Sequence, residues 1–356
     1  MTRAARFAGA MVIAVAVCAL IAGAQEKISP VSDYQYKKDY AQYEGIKKET
    51  DPQKRADLLV AFMKEHPISR MLTYVVADYL ESVKPHIQNK DWGKAIAMEE
   101  VLLALLPTDK SVQAAAVPEP GASDFLKNIL APAQKQIQSA LMAAYFQSNN
   151  IPKAAEIGEK MYAAAPDKAM AATLAEIYLR MQNYDKYLQY GEKIVAEFPM
   201  EQAYGTALQM AQVYLQKQDV NKAKELYTKV MDVYGDKVPP GLQEPAWNAT
   251  RAVAFGVFAS GAYAQKDYPK AVELYGKVAN FDPKRDDAYY FIGMSKWKDK
   301  DPDGAIEYFA KAAVLGKTYA KNSDQYLQEL WKARHPDSPT GFEEVKTKAK
   351  ADLGIK

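Results

Sequence analysis

The sequence predicts an all-α solenoid of antiparallel helix pairs that ends in a capping helix, and three observations support this fold class. Apolar residues recur at three- and four-residue spacing, as in Leu174, Ile177 and Tyr178, which is the period of an amphipathic helix. No alternating strand pattern persists along the chain. Residues 259–283 align with residues 293–317 at an offset of 34 residues throughout, and self-similarity at such a period indicates a repeat architecture.

The first residues indicate an export signal. Arg3 and Arg6 form a positively charged start, residues 11–21 are apolar, and residues 22–24 (AGA) form a small-residue cleavage site. The apolar run is shorter than the roughly 20 residues that span a bilayer. We therefore expect cleavage after Ala24, an exported chain that is periplasmic or extracellular, and no stable membrane insertion of the mature chain. A retained anchor is the alternative.

The cysteine and charge content exclude several classes of site. The only cysteine, Cys18, lies in the apolar run, and Val17 stands where a lipoprotein has a small residue, so a lipid anchor at Cys18 is disfavoured. Cleavage leaves no cysteine for a disulfide, a nucleophile or a metal site. The 46 basic and 44 acidic residues become equal when Arg3 and Arg6 are removed, which gives no electrostatic reason to expect nucleic acid.

Further copies of the repeat precede the aligned pair. Residues 140–166, 174–199 and 210–235 share its layout, whereas residues 51–67 and 91–107 look like second helices that end in proline. We expect small residues where the two helices of a pair cross closely, at Ala143, Ala154, Ala211, Ala223, Ala259, Ala271, Gly293 and Ala305. Turns are expected at Asn149-Asn150, Gln182-Asn183 and Lys266-Asp267, and starts of second helices at Pro152, Pro269 and Pro302.

This layout resembles the tetratricopeptide repeat (TPR) family, in which each unit is two antiparallel helices of about 34 residues. The resemblance covers most of the chain after the signal and implies a TPR-like right-handed superhelix. It suggests the following division: a signal peptide at 1–24, degenerate N-terminal helical repeats at 25–110, a Pro/Ala-rich insertion at 111–134, an array of about five repeats at 135–318, and C-terminal capping helices at 319–356.

Two stretches break the period. Residues 108–132 and 235–247 are expected to form loops or short inserted helices, and we favour tolerated insertions over binding elements. Trp247 is expected to anchor the second stretch onto the array.

Few motifs suggest chemistry. Residues 299–304 read D-x-D-x-D-G, the opening of a calcium loop, but Ala310 stands where a bidentate glutamate is needed. A polar turn between helices explains the segment better. Glu99 and Glu100 are expected to be a solvated pair, and His335, Asp337 and Ser338 only share a loop. We therefore predict a protein that is not an enzyme, with no catalytic residue, no metal and no cofactor.

The family resemblance implies a concave groove, lined by first helices, that takes peptides. Its groove-facing places give the candidate partner-binding residues Phe146, Gln147, Glu176, Arg180, Gln212, Gln216, Ser260, Tyr263, Tyr290 and Trp297. Aromatic and amide side chains suit apolar anchors and backbone hydrogen bonds. Core packing of Phe146, Tyr263 and Trp297 is an equally weighted alternative.

Chaperone-binding members of the family clamp a carboxylate with paired lysine and asparagine. Here the corresponding places are Ser139, Ala143, Ala172, Glu176, Leu208 and Gln212, so we expect no such ligand.

The leading functional hypothesis is an exported scaffold or adaptor that binds proteins or peptides. Envelope assembly or secretion is its setting by analogy of fold alone. The alternative is a peptidoglycan- or carbohydrate-binding envelope protein, because aromatic grooves also stack on sugars.

Overall fold

The computed structural model describes residues 29–115 and 121–355, and every regular element in these ranges is a helix. The expected signal peptide and Cys18 lie outside the described residues. The chain divides into two compact units between Asn183 and Tyr184. Within the described ranges, no helix has the length and apolar character needed to cross a membrane. The prediction of an all-helical fold of repeated helix pairs is confirmed.

The first unit contains nine α-helices and one π-helical turn in its described residues. They are α1 (Asp33–Ile46), α2 (Pro52–Glu65), α3 (Leu72–Gln88), α4 (Trp92–Ala104), α5 (Asp109–Ala114), α6 (Gly121–Phe125), the π turn (Leu126–Leu130), α7 (Ala131–Gln147), α8 (Ile151–Ala164) and α9 (Lys168–Arg180). Helix α3 packs against α2, α4 and α7, and α8 packs against α7 and α9. The described residues of the expected break, 108–115 and 121–132, are thus largely helical.

The second unit contains nine helices in its described residues. They are α10 (Tyr184–Glu197), α11 (Met200–Gln216), α12 (Val220–Tyr234), α13 (Glu244–Ala264), α14 (Tyr268–Phe281), α15 (Asp286–Lys298), α16 (Pro302–Val314), α17 (Ala320–Arg334) and α18 (Phe342–Asp352). Each helix from α10 to α18 packs against the next, and α18 also covers α16. Helix α18 therefore lies against two helices of the stack, α16 and α17.

The turns between paired helices share one backbone conformation. Six non-glycine residues in the described ranges have positive φ, at Lys90, Asn149, Gln182, Gln218, Lys266 and Lys300. The N–H of the next residue then bonds back to a carbonyl of the preceding helix, as Asp267 does to Ala262 at 3.0 Å. Asp267 in turn caps α14 by accepting from the N–H of Lys270 at 3.1 Å. The expected turn and proline positions are confirmed.

The small residues expected at the helix crossings are buried, with one exception. Ala154, Ala223, Ala271 and Ala305 are all 0% exposed. Ala143, in contrast, is exposed. In the repeat that contains α11, the buried small residue Ala211 lies three residues before Tyr214. In the repeat that contains α7, the residue three places before the equivalent Tyr145 is Met142 and not Ala143. The expectation for Ala143 was wrong because it was placed one residue out of register.

Two further expectations need correction. Glu99 is fully buried rather than solvated, because it lies on the face of α4 that enters the core of the first unit. Burial raises its pKa to about 7. Trp247 is fully buried, as expected for an anchor, and its ring centre lies 6.3 Å from that of Tyr234. It belongs to α13, however, so the non-helical stretch ends at Gln243.

Candidate partner-binding surfaces

Six rings of the second unit form one group, which we call the aromatic cluster: Tyr263, Tyr290, Phe291, Trp297, Tyr319 and Tyr326. They come from α13, α15, the turn before α17, and α17 itself. The helices α13 and α15 are first helices of successive pairs, and α17 follows them in the stack. The repeat period therefore places these rings side by side.

Ring-to-ring contacts join the members of the aromatic cluster. The ring centre of Tyr263 lies 5.3 Å from that of Phe291, and Tyr290 stacks on Tyr319 at 4.6 Å. The indole of Trp297 lies 5.3 Å from Tyr326. These distances fall in the range where aromatic pairs attract beyond their burial of area. Three of the predicted groove residues are thus brought into one cluster.

The aromatic cluster is half-buried rather than enclosed. All six residues retain partial exposure. Burial is the main cause that raises the pKa of Tyr263 and of Tyr290, so both phenols stay neutral at ordinary pH. Packing and partial exposure therefore coexist at Tyr263 and Trp297. Core packing describes part of their environment, and partner binding stays a prediction.

A buried carboxylate holds one edge of the aromatic cluster in place. Asp286, at the start of α15, is 6% exposed, and its Oδ2 accepts a hydrogen bond of 2.7 Å from the N–H of Tyr319. This bond ties the turn before α17 to α15. The stacking of Tyr319 on Tyr290 is therefore supported by the backbone as well as by the rings.

The sequence pattern missed Phe291, Tyr319 and Tyr326. Tyr319 and Tyr326 fall in residues 319–356, which were expected to form capping helices outside the repeat copies. Their seven-residue separation, two helical turns, was a usable signal because residues so spaced lie on one helix face.

The first unit holds the other predicted aromatic contact. The guanidinium of Arg180, at the end of α9, lies 4.8 Å from the ring centre of Phe146, at the end of α7. Phe146 is half-buried and Arg180 is exposed. A guanidinium over a ring at this distance is a cation–π contact. Gln147 and Glu176 are exposed on the same two helices.

The remaining predicted residues lie on α11 and α13. Gln212 and Gln216 are exposed one turn apart on α11. Ser260 is exposed, and its hydroxyl donates to the carbonyl of Val257 on its own helix at 2.9 Å. The side chains of Gln212 and Gln216 form no hydrogen bond within the described part of the chain, whereas that of Ser260 does.

The calcium-like segment is a helix cap. Asp301 Oδ1 accepts from the N–H of Gly304 at 2.8 Å, and Oδ2 pairs with Lys296 Nζ at 2.8 Å. The bond from Lys296 is the first cause, and the bond from Gly304 the second, that lower the pKa of Asp301. Across residues 29–115 and 121–355, no group of three or more histidine, cysteine, aspartate or glutamate side chains has the arrangement of a metal site.

A serine, a histidine and an aspartate meet in the first unit without the order that catalysis needs. Ser69 Oγ donates to Asp39 Oδ2 at 2.5 Å, and His66 Nδ1 lies 3.5 Å from Asp39 Oδ1. The aspartate stands between the other two, so the imidazole does not contact the hydroxyl that it would have to deprotonate. Asp39 is 1% exposed, and the group is a buried polar anchor for α1.

Comparison with known proteins gives one match in sequence. A family model described as Tetratricopeptide repeat matches residues 205–236 and 286–313, which include most of α11–α12 and of α15–α16. No curated protein matches the chain in sequence.

Several solved structures are similar to the chain at low sequence identity. A tetratricopeptide repeat protein from Parabacteroides merdae is 14% identical over 77% of this chain and 98% of its own, with a TM-score of 0.35. The C-terminal part of a TPR protein from Cytophaga hutchinsonii is 18% identical over 59% and 78%, with a TM-score of 0.37. The TPR2AB domain of yeast Sti1, in complex with pHSP90, is 14% identical over 89% and 99%, with a TM-score of 0.33.

Proposed function

Because the chain is a tetratricopeptide repeat protein, we propose that it is an adaptor that binds proteins or peptides, with the aromatic cluster of its second unit as the main contact. The supporting observation is the half-burial of the six rings. Each ring is held by its neighbours, yet each keeps part of its surface open to solvent.

Such a surface suits protein recognition for an energetic reason. Rings that are already packed lose little side-chain freedom on binding, so more of the contact energy appears as affinity. Tyrosine and tryptophan are also the side chains most often found at the energetic centres of interfaces. The exposed tyrosine edges supply apolar contact and a hydroxyl together.

The predicted residues outside the aromatic cluster form a lesser part of the proposal. In the first unit, Phe146 and Arg180 offer a ring and a guanidinium, with Gln147 and Glu176 beside them. In the second unit, Gln212, Gln216 and Ser260 offer polar groups along α11 and α13. We assign these residues to secondary contacts.

The proposed location is outside the cytoplasm. Its support is the order of three segments in residues 1–24: a positively charged start, then an apolar run, then a small-residue cleavage site. Envelope assembly or secretion is the proposed setting, on the analogy of fold. A peptidoglycan- or carbohydrate-binding role remains the second candidate, since the stacked rings of Tyr290 and Tyr319 resemble a surface on which sugars stack.

The test is capture of partners from envelope extracts with the chain from residue 25 onward. The double variant Tyr263→Ala/Trp297→Ala is expected to lose most captured proteins. The matched control is Tyr34→Ala/Tyr74→Ala, which removes two aromatic side chains that are 54% and 60% exposed in the first unit. Circular dichroism melting shows whether each variant is folded.

Equal capture by the parent and the aromatic-cluster variant would contradict the proposal. Retention on purified peptidoglycan or glycan, with no enrichment of protein, would favour the second candidate instead.

A further inference from the structure

A groove in the first unit is separate from every residue of the proposed surface. It has a volume of about 540 Å³ and lies between the start of α7, the end of α8 and the start of α9. None of its lining residues occupies a place predicted for the groove or for the carboxylate clamp of the family. Its size falls within the range of roughly 300–1,000 Å³ that is usual for ligand pockets.

The floor of this groove is apolar and adaptable. Met161 is buried at 7% exposure and Met170 is half-buried, and the exposed Pro132 and Ala164 add apolar lining beside them. Methionine side chains are unbranched and polarizable, so they adjust to apolar side chains of different shape. The floor can therefore hold one or two apolar side chains of a partner.

The rim of the groove is positively charged. Lys127, Lys135 and Lys160 line it, and the only acidic residue among its lining is Asp167. The Asp167 carboxylate is already engaged, because it caps α9 by accepting from the N–H of Met170 at 2.8 Å.

The three lysines are available to a partner. Lys127 and Lys135 are exposed and form no ion pair within the described residues. Lys160 pairs with Glu156 at 2.7 Å, but both side chains are more than half exposed, so this pair is weak and exchangeable. The local excess of positive charge stands out in a chain whose total charge is nearly balanced.

Two amide side chains also contribute to the groove. Gln134 and Gln138 are one turn apart on α7 and line the groove. Their side chains can donate to and accept from a peptide backbone at two positions along one direction. Aromatic rings, on which nucleic-acid bases would stack, are missing from this lining.

We propose that this groove binds a short acidic peptide segment, with one or two apolar side chains on the methionine floor and carboxylates at the lysine rim. The charge complementarity of the rim determines this choice of partner. The site goes beyond the proposed function, because it adds a second surface of different chemistry on the other unit of the chain.

The test measures binding of labelled short peptides by fluorescence anisotropy. The probe has a central leucine and phenylalanine flanked by aspartates and glutamates. One comparison peptide replaces the acids by lysines, and another replaces the two apolar residues by serines. We expect the acidic apolar peptide to bind tightest and its affinity to fall with added salt.

Substitutions then locate the site. Lys127→Glu/Lys135→Glu is expected to weaken binding about tenfold, as when two exposed ion pairs become repulsive. The control Lys348→Glu/Lys350→Glu makes the same change of net charge on exposed lysines of α18 and should leave the affinity unchanged. The aromatic-cluster variant Tyr263→Ala/Trp297→Ala should bind this probe normally, which separates the two proposals.

Three outcomes would overturn the inference. They are equal binding of the acidic and basic peptides, equal loss in the two lysine variants, and full affinity for the serine peptide. Binding of a phosphate polymer in preference to the peptide, lost with the same lysines, would assign the groove to polyanions instead.

Discussion

A β-carbon placed on Gly293 would lie 2.9 Å from two ring carbons of Phe309, and that ring is fully buried. Gly293 is on α15 and Phe309 on α16, the two helices of one repeat. The absence of a side chain at this point is therefore what lets the pair approach closely.

We expect Gly293→Ala to lower the free energy of unfolding by about 1–3 kcal/mol, because the added methyl group overpacks the crossing. Gly276→Ala on α14 is the matched control, since no atom beyond its chain neighbours and the nearby backbone of its own helix lies within 4 Å of its β-carbon position. There the same change should raise stability by about 0.5–1 kcal/mol through helix propensity. Urea unfolding followed by circular dichroism measures both, and a stabilising effect at Gly293 would disprove the close approach.

The cap at Asp301 gives a second prediction. Asp301→Ala should lower the free energy of unfolding by about 1 kcal/mol, because the N–H of Gly304 loses its acceptor. Asp299→Ala is the control, since Asp299 is exposed and makes no side-chain bond within the described residues. Thermal melting with calcium and with a chelator completes the test. A calcium-dependent melting temperature that is lost in both variants would restore the calcium interpretation.

The buried Glu99 makes stability depend on pH. Its pKa rises from 4.5 to about 7 on folding, so the folded state favours the protonated carboxyl. The resulting penalty is absent below pH 4.5, grows as the pH rises towards 7, and is complete above that. Glu99→Gln removes the titration. The stability of this variant relative to the parent should therefore improve by roughly 3 kcal/mol between pH 4.5 and pH 8.

Urea unfolding at the two pH values measures this difference. Glu100→Gln, at the exposed neighbour on α4 that accepts a hydrogen bond from Tyr145, is the control for the loss of one carboxylate. If the Glu99→Gln difference stays constant with pH, the carboxylate is ionised in the folded chain and the assignment fails.

Arg251 is expected to stabilise the second unit by packing rather than by its ion pair. It is 7% exposed, and its guanidinium carbon lies 4.0 Å from the ring centre of Phe281. Its acidic partner Asp236, at 3.1 Å, is fully exposed. Arg251→Ala should cost about 2 kcal/mol, whereas Asp236→Ala should change stability by less than about 0.5 kcal/mol. Urea unfolding compares them, and equal losses would indicate that the ion pair dominates.

The sequence predicted the helix pairs because the pairs are built from local signals. Positive φ at Asn149, Gln182 and Lys266 occurs within the turn segments that their polar residues indicated. The register of a helix, meaning which of its residues face the core, was harder to predict. Ala143 and Glu99 were misplaced because a helix face is decided by which neighbour packs on it, and a shift of one residue turns a side chain by about 100°.

The aromatic cluster was predicted in part, because the repeat period identifies equivalent residues in successive units. Tyr263 and Trp297 are 34 residues apart and so occupy equivalent places. The next equivalent residue is Trp331, whose indole N–H donates to the carbonyl of Ser338 at 2.7 Å. The groove of the first unit was missed altogether. Its lining comes from the π turn and from α7, α8 and α9, and packing alone brings Lys135 near Met170.

In the second unit, almost every packing contact joins helices that follow one another along the chain. Few long loops of backbone must close before contacts become favourable. Folding of this unit should therefore be fast, in the microsecond-to-millisecond range roughly typical of helical proteins with short-range contacts. A newly formed hairpin needs only its immediate neighbour in order to persist, so the order in which the pairs assemble is free to vary from one molecule to the next.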